Sequence, residues 1–472
     1  IGDVLNTLSA CKKMDCVLHG HRSQDYERFW NQYRVFHEKH QIFETHHDRL
    51  GSCVPCMLHT DEGTGMKKKA VLILQIHPVM GMGSKRGTGL NFMGSTYLTR
   101  LLYTTIAAKA YKGKTKGAVL QSLFNSWTRD LLETFNSGVR VQIDNRPTQV
   151  YLVMIACKGD WPALVQCGSL TRHFGHVARG VGNNTKGICH LCKAGMPGFS
   201  FSEFGATARW YADTEPPPLP WNANRPPKML PLVMSPDCPE KWFKIDIFHT
   251  CHKGCFSDLV SSAAVLLRDL GFYGEMGMDK FCNTLYEELS RFAKANGLGL
   301  HMVHLNKKNW FKGADTTTFM RFLQYKYERT LADHDSELLD AVLLAMGAAN
   351  KFLDILYNAD LWMDYTSAHE ACKFGMHFLK GYATAATLSF NMSLPRFKFQ
   401  PKWHMFAHIT HQLYDDAEKV GRKGRVLNVL SFSCQQDEDF VGKISAIVRK
   451  QHARSVNSRV LQKYKLNLAS RW

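Results

Sequence analysis

The 472-residue sequence predicts an α/β fold in which a mixed β-sheet is interrupted by a large all-helical insertion. Three observations predict this class. Strand-like apolar runs dominate residues 52–106, and a further strand run ends near residue 160 after an amphipathic helix. Nearly every segment between residues 279 and 390 then has helical periodicity. Because strands and helices alternate before that block, we expect a sheet covered by helices.

The first half of the chain supplies most of the predicted strands. In the polar segment before them, the spacing of Phe29, Tyr33 and Phe36 predicts a helix. Four strands are expected, in CVPCMLHTDEG, KKKAVLILQIHPV, STYLTRLLYTTIA and VYLVMIACKGDWPAL. A helix over 118–136 separates the last two, because its apolar residues fall on one stripe: Leu120, Leu123, Phe124, Trp127, Leu131 and Phe135.

The second half is irregular at first and then helical. ALVQCGSLTRHFGHVARG predicts a helix, KWFKIDIFHT a short strand and SDLVSSAAVLLRDLG another helix. This order is that of a ribonuclease H-like domain, although a generic α/β domain fits the pattern almost as well. The predicted segments are an N-terminal helical segment (1–50), the first part of the core (51–182), a Cys-x-x-Cys and Pro-rich insertion (183–240), a core strand (241–257), the all-helical insertion (258–365), a final core helix with a His-rich segment (366–415) and a basic C-terminal tail (416–472).

Composition indicates an ordinary globular protein with a polyanionic partner. Lys and Arg outnumber Asp and Glu by 59 to 41, which gives a formal net charge of +18 and favours nucleic acid as the partner. A basic protein without such a partner is the alternative. The 14 cysteines do not form a dense disulfide framework and suggest a reducing, intracellular setting with zinc. No apolar run approaches the ~18 residues of a membrane helix, and the initial Ile1 suggests a fragment of a longer protein.

Two aspartates, Asp61 and Asp160, stand where predicted apolar strands end. A buried carboxylate is costly unless a cation or a hydrogen-bond network compensates it. If the two strands pair in one sheet, the aspartates predict a site for Mg²⁺ or Mn²⁺, since hard cations prefer oxygen ligands. Paired divalent ions serve phosphodiester chemistry. The alternative is that each aspartate is only a turn residue, in DEGTG and KGDWP respectively.

A third carboxylate is needed to complete such a site, and the sequence offers two. Glu370 lies near the start of a helix that follows the helical block, but Ser367-x-x-Glu370 is also a capping-box pattern that needs no catalysis. Asp246 is the rival, on a predicted strand beside His249. His249 is either a ligand or a satisfied core histidine.

Two Cys-x-x-Cys pairs have the spacing of zinc ligands, and each supplies only half of a tetrahedral site. Cys189 and Cys192 form the stronger candidate, to be completed by His173, His176, His190 or the other pair. Cys53 and Cys56 are better explained as buried strand residues. The basic stretch GMGSKRGTG, with Lys85 and Arg86, lacks a P-loop ending and is expected to contact phosphate or simply to be solvated.

Several short stretches resemble DDE-type transposases of the CACTA/Plavaka kind. They are GDWPAL (159–164), CHLC (189–192), DIFHTCHKG (246–254) and PKWHMFAHITHQL (401–413), in that order. The likeness spans roughly residues 50–415. The Asp-x-Pro-Ala segment is similar to the one that holds the family's second catalytic aspartate, and DIFH is similar to its Asp-x-x-His segment.

The resemblance implies a ribonuclease H-like core with a helical insertion over about 250–365. Asp61, Asp160 and Glu370 would be the catalytic carboxylates that hold Mg²⁺ or Mn²⁺, with Asp246 and His249 beside them. Members of this family cut and rejoin transposon ends in the nucleus, so DNA ends and target DNA would be the partners, a homo-oligomer the active form, and Lys85, Arg86 and Lys253 phosphate contacts. The rival hypothesis is a catalytically inactive, domesticated transposase that binds DNA and contains zinc.

Overall fold

The computed structural model describes residues 1–81, 95–113, 117–179, 186–306 and 313–471. Its strands are β1 (Cys53–Thr64), β2 (Ala70–Pro78), β3 (Leu101–Ala107), β4 (Val139–Ile143), β5 (Arg146–Lys158), β6 (Trp362–Asp364) and β7 (Arg425–Leu427). Its α-helices are α1 (Gly2–Ala10), α2 (Asp15–Leu18), α3 (Ser23–Phe36), α4 (Ile42–Thr45), α5 (Thr96–Thr99), α6 (Ala108–Tyr111), α7 (Gly117–Asn136), α8 (Trp161–Cys167), α9 (Arg209–Ala212), α10 (Phe256–Asp269), α11 (Met278–Ala295), α12 (Thr316–Leu331), α13 (Glu337–Asn358), α14 (Tyr365–Asn391), α15 (Pro401–Val420), α16 (Gln435–Val448) and α17 (Val456–Ala469).

The main sheet is a mixed five-stranded sheet with the order β3-β2-β1-β5-β4, which confirms the predicted mixed sheet. β1, β2 and β3 form an antiparallel meander. β5 pairs with β1 in parallel, after the crossover through α7 that such a connection requires. β4 adds an antiparallel edge through a hairpin with β5. A second, two-stranded sheet joins β6 to β7.

The sheet is covered on both faces, so β1 and β2 are buried along nearly their whole length. Along β2, Leu72, Leu74 and Ile76 belong to the large core that also contains the helical block. The alternate residues Val71 and Ile73 face a smaller core formed with α16 and α17. Successive strand residues point to opposite faces, so one strand serves both cores.

The predicted helical block is present as α10 to α14. Its longest helices, α13 and α14, pack tightly because Gly381 lets the two backbones approach; a Cβ at this position would lie 2.9 Å from the backbone nitrogen of Ala345. The block shares its hydrophobic core with the sheet. Within the described ranges, no helix combines the length and apolarity needed to cross a bilayer.

Two element predictions are wrong, and the strand predicted in STYLTRLLYTTIA is shorter than expected, because Thr96–Thr99 form α5 and β3 begins at Leu101. KWFKIDIFHT forms only a single parallel bridge, between Phe243 and Cys157, and then enters a π-helical turn over Phe248–Cys255. The helix predicted after Asp160 stops at Cys167, because Ser169 adopts a left-handed backbone conformation with φ of 47°. Local apolar pattern favoured longer elements in both places.

Candidate functional site

The parallel pairing of β1 with β5 brings Asp61 and Asp160 to the same edge of the sheet. His59 is the register partner of Lys158, and each aspartate lies two residues further along its chain. Asp61 remains within β1, so the alternative that it is a hairpin turn residue is wrong. Asp160 caps α8 by accepting a hydrogen bond from the backbone N–H of Ala163 at 2.8 Å.

Gly159 allows the two aspartates to be this close. A Cβ at this position would lie 2.7 Å from the backbone oxygen of Thr60. Any side chain at position 159 would therefore push the end of β5 away from β1 and would move the two carboxylates apart. The glycine is explained by this close backbone approach, and not by a left-handed conformation.

The two aspartates share an unfavourable electrostatic environment. Burial, followed by the negative charges of Asp160 and Glu438, raises the pKa of Asp61 to about 7. Burial is also the main cause that raises the pKa of Asp160. Excess negative charge of this kind is relieved by a bound cation, since a nearby positive charge favours the ionised carboxylate.

The third carboxylate near this pair belongs to Glu438, in the first turn of α16. Its negative charge acts on both Asp61 and Asp160. Its Oε1 atom lies 3.0 Å from His249 Nε2 and 3.2 Å from Lys253 Nζ. Against the effect of burial, these two cations lower the pKa of Glu438 to about 2. A sequence cue existed in CQQDEDF, where acidic residues open an amphipathic helix.

Glu370, the carboxylate chosen from the sequence, is not brought to the two aspartates. It is exposed on α14. The capping-box alternative is also wrong, because the N-cap of α14 is Asp364, which accepts a hydrogen bond from the Ser367 backbone N–H at 2.8 Å. The choice failed because the chain returns to the sheet later than expected, through α16 and not through α14.

Asp246 and His249 connect this site to the backbone around it. Asp246 Oδ1 accepts hydrogen bonds of 2.8 Å from the backbone N–H groups of Phe248 and Cys434, and Oδ2 contacts His249 Nδ1. Burial opposes the charge of Asp246, but these hydrogen bonds hold its pKa below the usual range. Burial likewise opposes the charge of His249, yet Asp246 and Glu438 raise its pKa to about 9. Asp246 is thus occupied as an anchor for His249 and for the start of α16.

The π-helical turn that carries His249 is itself a site feature, since such turns concentrate at functional sites. Gly254 in this turn approaches Lys402 so closely that a Cβ would lie 2.5 Å from the Lys402 Cδ atom. Lys253, which the sequence suggested as a phosphate contact, lies on the same turn and is partly exposed beside Glu438.

A buried ion cluster lies beneath the three carboxylates. Asp437 Oδ2 is 2.7 Å from Lys158 Nζ, and Asp437 Oδ1 is 3.2 Å from Arg100 Nε. Gln75 Nε2 bridges Asp437 Oδ1, at 3.2 Å, to His59 Nδ1, at 2.7 Å. Although burial raises the pKa of Asp437, the two cations hold it well below the usual range.

This cluster contains the chain neighbours of the catalytic candidates. His59 precedes Asp61 by two residues, Lys158 precedes Asp160 by two, and Asp437 directly precedes Glu438. Ligand atoms of His59, Cys434 and Asp437 lie within 4.8 Å of one another. An ammonium group already contacts Asp437, so this group is neutralised internally and fixes α16 against the sheet.

The strongest metal-ligand geometry is formed by Cys189, Cys192, His404 and His408. Their ligand atoms all lie within 4.8 Å of one another, and three of the four residues are buried. Cys189 Sγ is 3.4 Å from His408 Nε2, and Cys192 Sγ is 3.3 Å from His404 Nε2. The cysteine half-site comes from the loop before the helical block and the histidine half-site from α15 after it. Two thiols and two imidazoles are the donor set of a closed zinc site.

The loop around the cysteines supports ligation by sulfur. The backbone N–H of Leu191 donates to Cys189 Sγ at 3.3 Å, and that of Ala194 donates to Cys192 Sγ at 3.3 Å. Outer hydrogen bonds of this type orient metal ligands. His404-x-x-x-His408 on one helical face was the missed sequence signal, because residues i and i+4 are neighbours on a helix.

The other zinc partners considered from the sequence are engaged elsewhere. His190 Nε2 bonds the backbone oxygen of Phe243 at 2.9 Å, and His176 Nε2 bonds that of Thr171 at 2.8 Å. His173 Nδ1 accepts from the Gly175 backbone N–H at 3.2 Å. Cys53 and Cys56 are both buried in β1, which confirms them as strand residues.

A mostly apolar cavity of about 330 Å³ opens beside the acidic residues. Asp160, Asp246 and His249 contribute to its wall, together with Trp161 and Phe174. The two aromatic rings contact each other, with centroids 5.0 Å apart. The site is therefore a concave surface with a carboxylate rim, as expected for a binding site.

Models of protein families and curated proteins were both searched with this chain, and neither search finds a match. The site must be interpreted from its own chemistry. Lys85 and Arg86 lie outside the described residues.

Proposed function

We propose that this protein is a DDE-type transposase or closely related nuclease of the CACTA/Plavaka kind, with Asp61, Asp160 and Glu438 as its catalytic carboxylates. One observation carries the proposal. Carboxylates from β1, from the end of the adjacent parallel strand β5 and from the first turn of α16 interact at one edge of the sheet. Glu438 takes the place that the sequence alone gave to Glu370.

The strand arrangement supports a ribonuclease H-like core. A three-stranded antiparallel meander is followed by a strand parallel to β1, and the Phe243–Cys157 bridge lies parallel on its far side. The β4–β5 hairpin is a departure from that arrangement. The helical block separates Asp160 from Glu438 in sequence, as the resemblance implies.

The donor set of the acidic site fits Mg²⁺ or Mn²⁺, because all three candidate ligands are carboxylates. Two bound ions would supply Lewis-acid stabilisation of the attacking and leaving oxygens in an in-line displacement. The three residues are absent from the groups whose ligand atoms lie within 4.8 Å of one another among the described residues. Because the two ions of such a pair lie roughly 3.5–4 Å apart, their ligand atoms need not all lie within 4.8 Å of one another.

The protein's own cations complete the chemistry. His249 and Lys253 place positive charge beside Glu438, where a phosphodiester would otherwise face three acids. Water would attack the phosphorus, the bond to the 3′ oxygen would break, and the proton of water would pass to the departing oxygen or to solvent. The freed 3′-OH would then attack a phosphorus of target DNA, where the bond to the target's own 3′ oxygen would break and that oxygen would take up the proton lost by the attacking hydroxyl. We extend the proposal to action in the nucleus as a homo-oligomer.

We further propose that Zn²⁺ is held by Cys189, Cys192, His404 and His408 in a structural role. A four-ligand set of sulfur and nitrogen leaves no position open for substrate. The ion would clamp the loop before the helical block to α15 after it.

Nicking of supercoiled plasmid in the presence of Mn²⁺ tests the proposal. Asp61→Asn and Asp160→Asn should each reduce the rate by on the order of 10³-fold, since losing one charge-stabilising donor costs about 10²–10³-fold and losing a catalytic aspartate on the order of 10⁴-fold. Asp340→Asn on the exposed face of α13 is the matched control and should nick at the wild-type rate. Equal nicking by all four proteins would favour the inactive, DNA-binding alternative.

A further inference from the structure

A basic surface lies beside the turn that joins β1 to β2. It is a cleft of about 1230 Å³ formed by the β1–β2 turn, by α6 and by the loop between α16 and α17. We call it the basic cleft. Its walls carry these cationic or titratable residues: Lys67, Lys69, Lys109, Lys112, His452 and Arg454. Among the described residues that line it there is no Asp or Glu.

The charge of the basic cleft is largely uncompensated. Lys67, Lys69 and Arg454 are exposed, and no ion pair joins any of them to another residue of the described chain. Lys112 of the cleft is paired with Glu62, whose carboxylate accepts from Lys112 Nζ at 2.5 Å and from Tyr111 OH at 2.6 Å. A groove lined by one sign of charge concentrates ligands of the opposite sign.

Two elements connect the basic cleft to the acidic site. β1 carries Asp61 and ends at Thr64, three residues and so about 10 Å further on. α16 carries Glu438 in its first turn and Val448, which lines the cleft, at its end. Ten residues of helix span about 15 Å. The cleft therefore lies roughly three to five nucleotides from the carboxylates, at about 3.4 Å per nucleotide.

We propose that the basic cleft binds the phosphate backbone of DNA that flanks the phosphodiester held at Asp61, Asp160 and Glu438. This inference rests on the proposed function for the identity of the polyanion. Its own content is that Lys67, Lys69 and Arg454 contact phosphates three to five nucleotides from the reacting one. The contact is with the backbone and is independent of base sequence.

Salt-dependent binding of a fluorescein-labelled 30-base-pair duplex, measured by anisotropy in EDTA, tests the cleft without catalysis. The variant combines Lys67→Ala, Lys69→Ala and Arg454→Ala. The matched control combines Lys280→Ala, Arg291→Ala and Lys294→Ala, which removes the same charge from the exposed face of α11. Each lost phosphate contact lowers the slope of log affinity against log salt by about 0.9.

We expect the cleft variant to lose about 2.7 from that slope, so that wild type loses about 40-fold more affinity than the variant between 50 and 200 mM salt. The control should keep the wild-type slope within about 0.5. Equal slopes for cleft variant and wild type would overturn the proposal, and so would polyglutamate that competes as well as DNA. Asp160→Asn should bind with the wild-type slope, so a failure of catalysis and a failure of the cleft are distinguishable.

Discussion

Two groups of side chains each join a segment that precedes the helical block to one that follows it, but they differ in their ligand atoms. The Cys₂His₂ group consists of Cys189, Cys192, His404 and His408, and the acidic group consists of Asp61, Asp160 and Glu438. Cys189 and Cys192 meet His404 and His408 across more than 200 residues of sequence, in a largely buried group. The acidic group meets Glu438 at a partly exposed edge, where the Glu438 side chain retains 27% of its accessible surface.

The difference lies in how each group is compensated. The Cys₂His₂ group needs no cationic side chain, because its two thiols and two imidazoles are enough to coordinate one ion. In the acidic group, Glu438 is already paired with His249 and Lys253, while burial and the charge of Asp160 raise the pKa of Asp61. One arrangement suits permanent retention of an ion, and the other suits ions that arrive with a substrate.

Removing a ligand from the Cys₂His₂ group should have the largest effect. Cys192→Ser should abolish zinc content and cooperative unfolding, because structural zinc contributes about 10 kcal/mol in small domains, comparable to the whole stability of many proteins. Metal analysis by mass spectrometry and thermal circular dichroism measure this. Cys167→Ser is the control, since Cys167 is equally buried but lies beside Cys157. Zinc retained in the Cys192 variant would remove this group as a metal site.

Disruption of the buried ion cluster should have the next largest effect, a fall in the free energy of unfolding. Asp437→Asn leaves Lys158 and Arg100 buried without their counter-charge, so the free energy of unfolding should fall by about 3–5 kcal/mol. Urea denaturation measures it. Asp439→Asn, two residues along on the exposed side of α16, should change stability by less than about 1 kcal/mol. A similar loss in both variants would show that the cluster does not fix α16.

Metal binding at the acidic group should weaken as the pH falls below about 7. Since the pKa of Asp61 is about 7, a proton must leave before a cation binds below that pH. The Mn²⁺ concentration for half-maximal nicking should therefore rise about fivefold from pH 7 to pH 6, and should level off above pH 8. A constant Mn²⁺ requirement across this range would mean that Asp61 is not a ligand.

The sequence predicted that Asp61 and Asp160 would lie at one edge of the sheet, but it did not predict that Glu438 would lie beside them. Asp61 and Asp160 were found because each follows a buried run, and strand order then fixes their neighbourhood. Glu438 is two helices later than Glu370, and nothing local distinguishes a helix that returns to the sheet from one that does not. Packing of α16 on β1 decides it.

The Cys₂His₂ group also shows that local sequence patterns do not locate partners distant in the chain. Cys189-x-x-Cys192 was recognised by spacing, but its partners were sought at His173, His176 and His190 or at the other cysteine pair. The structure instead places His404 and His408 of α15 beside these cysteines, because the helical block folds back and brings residue 404 next to residue 192. The approach of residues so far apart in sequence depends on tertiary packing. It could still have been predicted by combining the Cys-x-x-Cys spacing with the His-x-x-x-His spacing on α15.

The most direct test of the account compares Glu438→Gln with Glu370→Gln in Mn²⁺-dependent plasmid nicking, with DNA affinity measured in EDTA for both. We predict that Glu438→Gln loses nicking by on the order of 10³-fold while it still binds DNA. Glu370→Gln, changed by the same single charge on the exposed face of α14, should nick like wild type. Loss of nicking in the Glu370 variant with full activity in the Glu438 variant would contradict the assignment of the third carboxylate.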